Sequence, residues 1–194
     1  MEAFLGMDIY LIDQILKGRY LPGELILDAG AGGGRNLNWF FDQGGFDIHA
    51  CDIQGEREEI IRERYPGAVF KWETCDLAKL PYAQGSFRHI ICNAVLHFAL
   101  SERHFQQMLQ ELHRVMQPKA SLFIRMNSEI GLEDRVEALG EGRFLNPDGS
   151  ERFLLNRSIL AEMEQMGFAH LEPPKHVRVA DERVMSTLVM VKTA

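Results

Sequence analysis

Between Asp8 and Lys17 the apolar residues Ile9, Ile12, Ile15 and Leu16 recur at helical spacing, with Asp8 placed to cap the start and Gly18 past the end, so the spacing predicts a short leading helix within residues 1–20. The unbroken apolar run of "ELILDA" then reads as a buried strand, and "RNLNWFFDQG" as the helix after it. The pattern repeats: "FDIHACDI" as strand, "GEREEIIRERYPG" as a charged helix stopped by Pro66 and Gly67, and "AVFKWETCD" as a third strand. A fourth strand, "RHIICNAV", leads to Ser101, which can cap a helix carrying Phe105, Met108, Leu109, Leu112, Val115 and Met116 as one stripe; "ASLFIRM" follows as a fifth strand. Strands alternating with helices of this length imply parallel βαβ units, hence a doubly wound α/β class with helices on both faces of the sheet.

After Met126 the alternation fails. Residues 127–157 hold a short helical pattern around "LEDRVEALG" and a turn at "NPDG" but no buried strand, and are read as an insertion. "NRSILAEMEQMG" resumes as a helix with Ile159, Leu160, Met163 and Met166 inward, and "HLEPPKHVRV" with "RVMSTLVMVK" reads as a closing antiparallel hairpin. Nothing in the 194 residues marks a linker or an internal repeat, so residues 1–194 are expected to form a single domain.

Composition narrows the function more than the fold. A hydrophobic share of 46% and a charged share of 25% are those of an ordinary globular chain, and a net charge of −7 disfavours nucleic acid as a partner. No apolar run approaches the ~20 residues that cross a bilayer, and the N-terminus lacks the basic and apolar segments of a signal peptide. Cys51, Cys75 and Cys92 form no CxxC pair and no zinc spacing, so no metal is expected and the thiols read as reduced and buried. These features suit a cytoplasmic protein acting on a small molecule. Its oligomeric state is not legible here.

The chemistry concentrates at "LILDAGAGGGRNL", where four of residues 29–34 are glycine. Glycine weakens regular structure and is favoured where φ is positive or another group approaches the backbone. At the carboxyl end of a first α/β strand such a turn leads into a helix N-terminus and suits a nucleotide-like ligand. The dinucleotide spacing G-x-G-x-x-G would begin at Gly30 and Gly32 but meets Arg35 where a third glycine is needed, which leaves a nicotinamide-dependent oxidoreductase as a weaker alternative.

The spacing that does fit is D-x-G-x-G-x-G, at Asp28, Gly30, Gly32 and Gly34. It resembles motif I of the class I S-adenosylmethionine-dependent methyltransferases. The resemblance continues at Asp52 and Ile53 ending the second strand, at Asp76 and Leu77 after the third, and through "LPYAQGSFRHIICNAVLHFA", covering roughly residues 20–126 in order. Arg88 and "QPKAS" depart from the usual S-F-D and P-G-G of that pattern.

The resemblance implies a Rossmann-like, mostly parallel seven-stranded sheet and S-adenosylmethionine as cofactor. It assigns the cofactor to Asp28, Gly30, Gly32, Gly34, Asp52, Ile53, Asp76, Leu77 and Asn93, with the acids near the amino acid end, the ribose hydroxyls and the adenine. The methyl acceptor is then expected near Tyr10, His97, Arg125 and Asn127, beside the insertion. Tyr10 and His97 are the candidate catalytic groups, Tyr10 with the alternative of closing the cofactor pocket and His97 with that of packing or capping. In-line displacement at a sulfonium can be driven by positioning and exclusion of water, so a general base is optional. The size and C-terminal hairpin are loosely similar to small bacterial methyltransferases of the tellurite-resistance type, which favours a small acceptor. A non-catalytic module that kept the fold is the alternative of a different class.

Overall fold

In the computed structural model, which describes residues 2–193, successive residues of the central strands face opposite sides of one sheet. Strand β1 (Leu25–Ala29) sends Ile26 to one side and Leu27 to the other; β4 (Phe87–Asn93) does the same with Ile91 against Ile90 and Cys92; β5 (Met116–Ser128) with Phe123 against Leu122 and Ile124. Both faces are apolar because both are covered. Helices α1 (Ile9–Leu16), α2 (Asn38–Gln43) and α3 (Arg57–Arg64) supply Leu11, Ile15, Phe40 and Ile61 to one core, while α4 (Glu102–Val115) and α5 (Arg157–Gln165) supply Phe105, Leu112, Ile159 and Met163 to the other. Each fully buried Leu, Ile or Phe contributes about 1.5–3 kcal/mol, so two continuous cores hold the sheet between them.

With β2 (Asp47–Asp52), β3 (Lys71–Thr74), β10 (Lys175–Val179) and β11 (Arg183–Lys192) the strand order is β10-β11-β5-β4-β1-β2-β3. Strands β3, β2, β1, β4 and β5 run parallel, and β11 lies antiparallel between β5 and β10, as the closing hairpin predicts. A short β9 (Phe168–His170) also pairs with β11. The order reverses between β1 and β4, so the carboxyl ends of those two strands open a crevice between diverging crossovers.

Ser101 caps α4 by accepting from the His104 amide at 3.1 Å, and the whole Phe105-to-Met116 stripe is buried. Asp8 caps α1, accepting from the Tyr10 amide at 2.9 Å. The face of α1 differs from the expected one: Ile9 and Leu16 are exposed, and Leu11 and Ile15, in step with Met7, face the core. The insertion is corrected more fully. "LEDRVEALG" forms turns and a strand instead of a helix, and β6 (Glu137–Gly140), β7 (Arg143–Leu145) and β8 (Glu151–Phe153) make a separate three-stranded antiparallel sheet. The "NPDG" turn is present between β7 and β8, closed by the Gly149 amide on the Asn146 carbonyl at 2.9 Å. Phe153 fixes this sheet to the main body, stacking on Phe105 with ring centroids 4.4 Å apart.

Candidate functional site

Leaving β1, the chain turns through Gly30, Gly32 and Gly34 at φ +80°, +53° and +70°. At Gly30 a side chain is excluded by packing as well as by φ: a β-carbon there would stand 2.3 Å from Cγ2 of Val95. A β-carbon on Gly34 would meet Cγ1 of Ile61 at 2.9 Å, so helix α3 lies hard against the loop. The Gly30 and Ala31 amides donate to the Cys51 carbonyl at 2.8 and 2.9 Å, and the Gly32 amide donates to Oδ2 of Asp52 at 3.0 Å. Oδ1 of Asp52 accepts from the Gln54 amide at 3.0 Å. A carboxylate has roughly four acceptor positions, so both oxygens keep capacity for further donors.

Two cavities meet over these strand ends. The first, about 590 Å³, is walled by the bare loop from Gly30 to Gly33, by Asp52 and Ile53 after β2, by Asp76 and Leu77 after β3, and by Asn93 to Val95 after β4. The second, about 470 Å³, is walled by Asp8, His97, Arg125 and Asn127, by Asp148, Ser150 and Arg152 from the inserted sheet, and by Arg183 and Met185 of β11. Arg35, Asn93 and Ala94 line both. Ala94 holds φ +63°, unusual for a residue with a β-carbon, with its amide donating to the Arg125 carbonyl at 2.7 Å.

The electrostatics differ between the two. Asp28 is 1% exposed, its Oδ2 has no hydrogen-bond partner among the described residues, and burial raises its carboxyl to about 7 against the pull of the Arg35 guanidinium. Asp76 accepts from the Ala78 amide at 2.8 Å and meets Nε2 of His104 at 3.1 Å. In the second cavity, burial and the nearby Arg152 charge lower His97 to about 4, which leaves it neutral near pH 7. Its Nδ1 accepts from the Asn127 amide at 3.3 Å, so its proton sits on Nε2. Arg125 pairs with Asp8, and Arg183 with Asp148 at 3.1 Å.

Eight of the nine residues expected at the cofactor line a cavity or shape its loop: Gly30, Gly32, Asp52, Ile53, Asp76, Leu77 and Asn93 line the first cavity, and Gly34 packs beside it on Ile61. Asp28 lines neither cavity and is buried two residues before the loop. Of the residues expected at the acceptor, His97, Arg125 and Asn127 come together in the second cavity. Tyr10 lines neither; its ring lies 5.1 Å from the Arg125 guanidinium and 5.8 Å from the Lys175 ammonium. Sequence reasoning missed Arg35, His104, Arg152 and Arg183. Only Arg152 carried a usable signal, its alternation with Phe153, which turns one residue to the core and its neighbour away from it.

A glycine-bared loop and carboxylates at successive strand tips of a doubly wound sheet form a crevice suited to a nucleotide-like ligand, on the Rossmann-like fold of the class I S-adenosylmethionine-dependent methyltransferases. Residues 26–119 match the methyltransferase domain family. A tRNA (carboxymethyluridine(34)-5-O)-methyltransferase alkbh8 of Xenopus tropicalis is 26% identical over 143 residues, which is 73% of this chain but 22% of that relative, so the chain spans about a fifth of its length. An S-adenosylmethionine-dependent methyltransferase from Methanosarcina mazei superposes with a TM-score of 0.74 at 17% identity, covering 92% of this chain and 96% of that one. The 1,6-didemethyltoxoflavin-N1-methyltransferase of Burkholderia thailandensis, with S-adenosylhomocysteine bound, superposes with a TM-score of 0.66 at 20% identity over 94% and 76%. The nicotinamide alternative, already short of a glycine at Arg35, is set aside by the family match.

The first cavity fits S-adenosylmethionine on its own terms. Gly32 has open space where a β-carbon would stand, and Ile53 offers an apolar surface that is 68% exposed. Among those residues no helix is long and apolar enough to cross a membrane, and no group of three His, Cys, Asp or Glu side chains could hold a metal ion.

Proposed function

We propose that the chain acts as a single methyltransferase domain that transfers a methyl group from S-adenosylmethionine to a small molecule seated in the second cavity. The carrying observation is the shared wall of Arg35, Asn93 and Ala94, which lets two ligands meet without leaving their own cavities. When bound, the cofactor supplies an electrophilic methyl group on a sulfonium. Asp52 accepts from ribose hydroxyls while its bonds to Gly32 and Gln54 hold it still, and Asp76 with Leu77 takes the adenine. Asp28, buried behind the loop and outside both cavities, favours the cationic end of the cofactor over a pyrophosphate through its charge and not by contact. The insertion, residues 127–157, shapes the acceptor site through Asp148, Ser150 and Arg152.

A volume of about 470 Å³ lies within the range of about 300–1,000 Å³ usual for small-ligand sites. The net charge of −7 also favours a small acceptor over the tRNA named for the Xenopus relative. The three cysteines are all free thiols, which supports the cytoplasm as the compartment. The test is to incubate the protein with methyl-labelled S-adenosylmethionine and a cell extract, then separate small molecules from RNA and protein. Label among the small molecules supports this reading; label in RNA or protein alone refutes it, and no transferred label by a cofactor-binding protein identifies an inert module.

A further inference from the structure

The second cavity is built of donors. It presents four guanidiniums, Arg35, Arg125, Arg152 and Arg183, against two carboxylates, Asp8 and Asp148. Both carboxylates are taken, Asp8 by Arg125 and Asp148 by Arg183, with Asp148 also accepting from the Ser150 amide at 2.9 Å and from its hydroxyl. Among the described residues Arg35 donates to a neutral partner, Oδ1 of Asn93, at 3.2 Å. Arg152 lies over the Phe98 ring at 4.9 Å and donates to the Glu151 carbonyl at 2.7 Å. Among the described residues, two positive charges therefore face the cavity with no carboxylate bound to them, in a chain that is acidic overall.

Two further groups point the same way. Asn93 is 6% exposed and lines both cavities, with its Nδ2 lacking a partner among the described residues. A buried donor left without an acceptor costs about 1–3 kcal/mol, which an acceptor atom of a ligand would offset. His97 adds the proton on its Nε2, since Nδ1 is occupied by the Asn127 amide. It is a donor too, and with its conjugate acid at about 4 it is a weak proton sink. An alcohol or ammonium acceptor must lose a proton during transfer, and the two paired carboxylates are poor places to put it.

We propose that the acceptor is a carboxylic acid, held as its carboxylate between Arg152 and the Asn93 amide and methylated on a carboxylate oxygen. This rests on the small-molecule methyltransferase reading and names its substrate class. A guanidinium fork matches the two oxygens of a carboxylate, and the anion arrives already deprotonated. An oxygen lone pair forms the bond to the methyl carbon as the carbon–sulfur bond breaks and its electron pair stays on sulfur. The sulfonium becomes the neutral thioether of S-adenosylhomocysteine, the carboxylate becomes a methyl ester, and no proton is released.

The experiment uses S-adenosylmethionine labelled in the methyl group, the whole protein and a small-molecule cell extract, followed by mild base. Methyl esters hydrolyse to volatile labelled methanol, so recovery of most transferred label as methanol is expected. Label in base-stable products overturns the carboxylate assignment while leaving small-molecule transfer intact. No transferred label, from protein that binds S-adenosylhomocysteine, overturns both. With the acid so found, Arg152→Gln is expected to raise KM at least tenfold with kcat and cofactor affinity unchanged, and Arg152→Lys to recover part of the loss. An unchanged KM in Arg152→Gln contradicts the proposal.

Discussion

Oδ2 of Asp52 accepts the Gly32 amide at 3.0 Å, so the tip of β2 holds the middle of the glycine loop and forms one wall of the first cavity with it. The same carboxylate is assigned the ribose hydroxyls, and charge-assisted bonds of this kind are stronger than neutral ones. Asp52→Ala is expected to weaken S-adenosylhomocysteine binding by about 1–3 kcal/mol, with Asp52→Asn in between. Equilibrium dialysis with labelled ligand measures this, and an unchanged dissociation constant in folded Asp52→Ala would show that the ribose lies elsewhere.

The loop glycines separate into two kinds. Gly30→Ala drives a methyl group into Val95 at positive φ and is expected to destabilise the fold by about 2–5 kcal/mol. At Gly32 a β-carbon meets nothing within 4 Å among the described residues, so Gly32→Ala carries only the φ penalty of about 1–2 kcal/mol and projects into the cofactor cavity. Urea unfolding should rank Gly30→Ala as the less stable protein, whereas both lose cofactor affinity. Equal stability of the two would contradict the packing of Val95 on the loop.

Acid is expected to destabilise the protein through His97. Its folded pKa, about 4, is below the unfolded value of 6.5, so the unfolded chain binds the proton more readily between them. The contribution is complete above pH 6.5 and is lost as pH falls toward 4, at most on the order of 3 kcal/mol. Burial lowers His49, His89, His113 and His176 as well, with the same sign. Denaturation midpoints from pH 7 to pH 4.5 should fall less steeply in His97→Gln than in the parent protein; parallel slopes would refute a buried neutral His97.

Asp28 acts in the opposite sense. Its folded pKa of about 7 exceeds the unfolded 3.8, so the protonated carboxyl favours the folded state and that benefit is lost as pH rises from about 4 to 7. Asp28→Asn is expected to gain stability over the parent across that window, by at most on the order of 4 kcal/mol at pH 8, while binding the cationic cofactor more weakly. A stability difference independent of pH, read from urea midpoints, would show that Asp28 is ionised without penalty.

Most of the sheet was legible because each central strand is a short apolar run bounded by turn residues, and α4 because its stripe holds for four turns with a cap at Ser101. The first cavity was legible because the glycines mark a backbone that must stay bare, most sharply at Gly30. The insertion was not. Leu132, Val136 and Leu139 have helical spacing, yet a segment so short gains little as a helix, and pairing with β7 satisfies its backbone instead. Arg152 and Arg183 reach the second cavity from elements distant in the chain, and no local pattern announces that meeting. Ile9 and Leu16 looked inward on periodicity alone, whereas Leu11 and Ile15 have the sheet to pack against.

The central claim is that the first cavity is the seat of S-adenosylmethionine across the carboxyl ends of β1, β2 and β3. Calorimetric titration of the purified protein with S-adenosylmethionine, S-adenosylhomocysteine and NADH tests it most directly. Saturable one-to-one binding of the two sulfur nucleosides, with no heat from NADH, is the predicted result; folded protein that binds neither of them would contradict it.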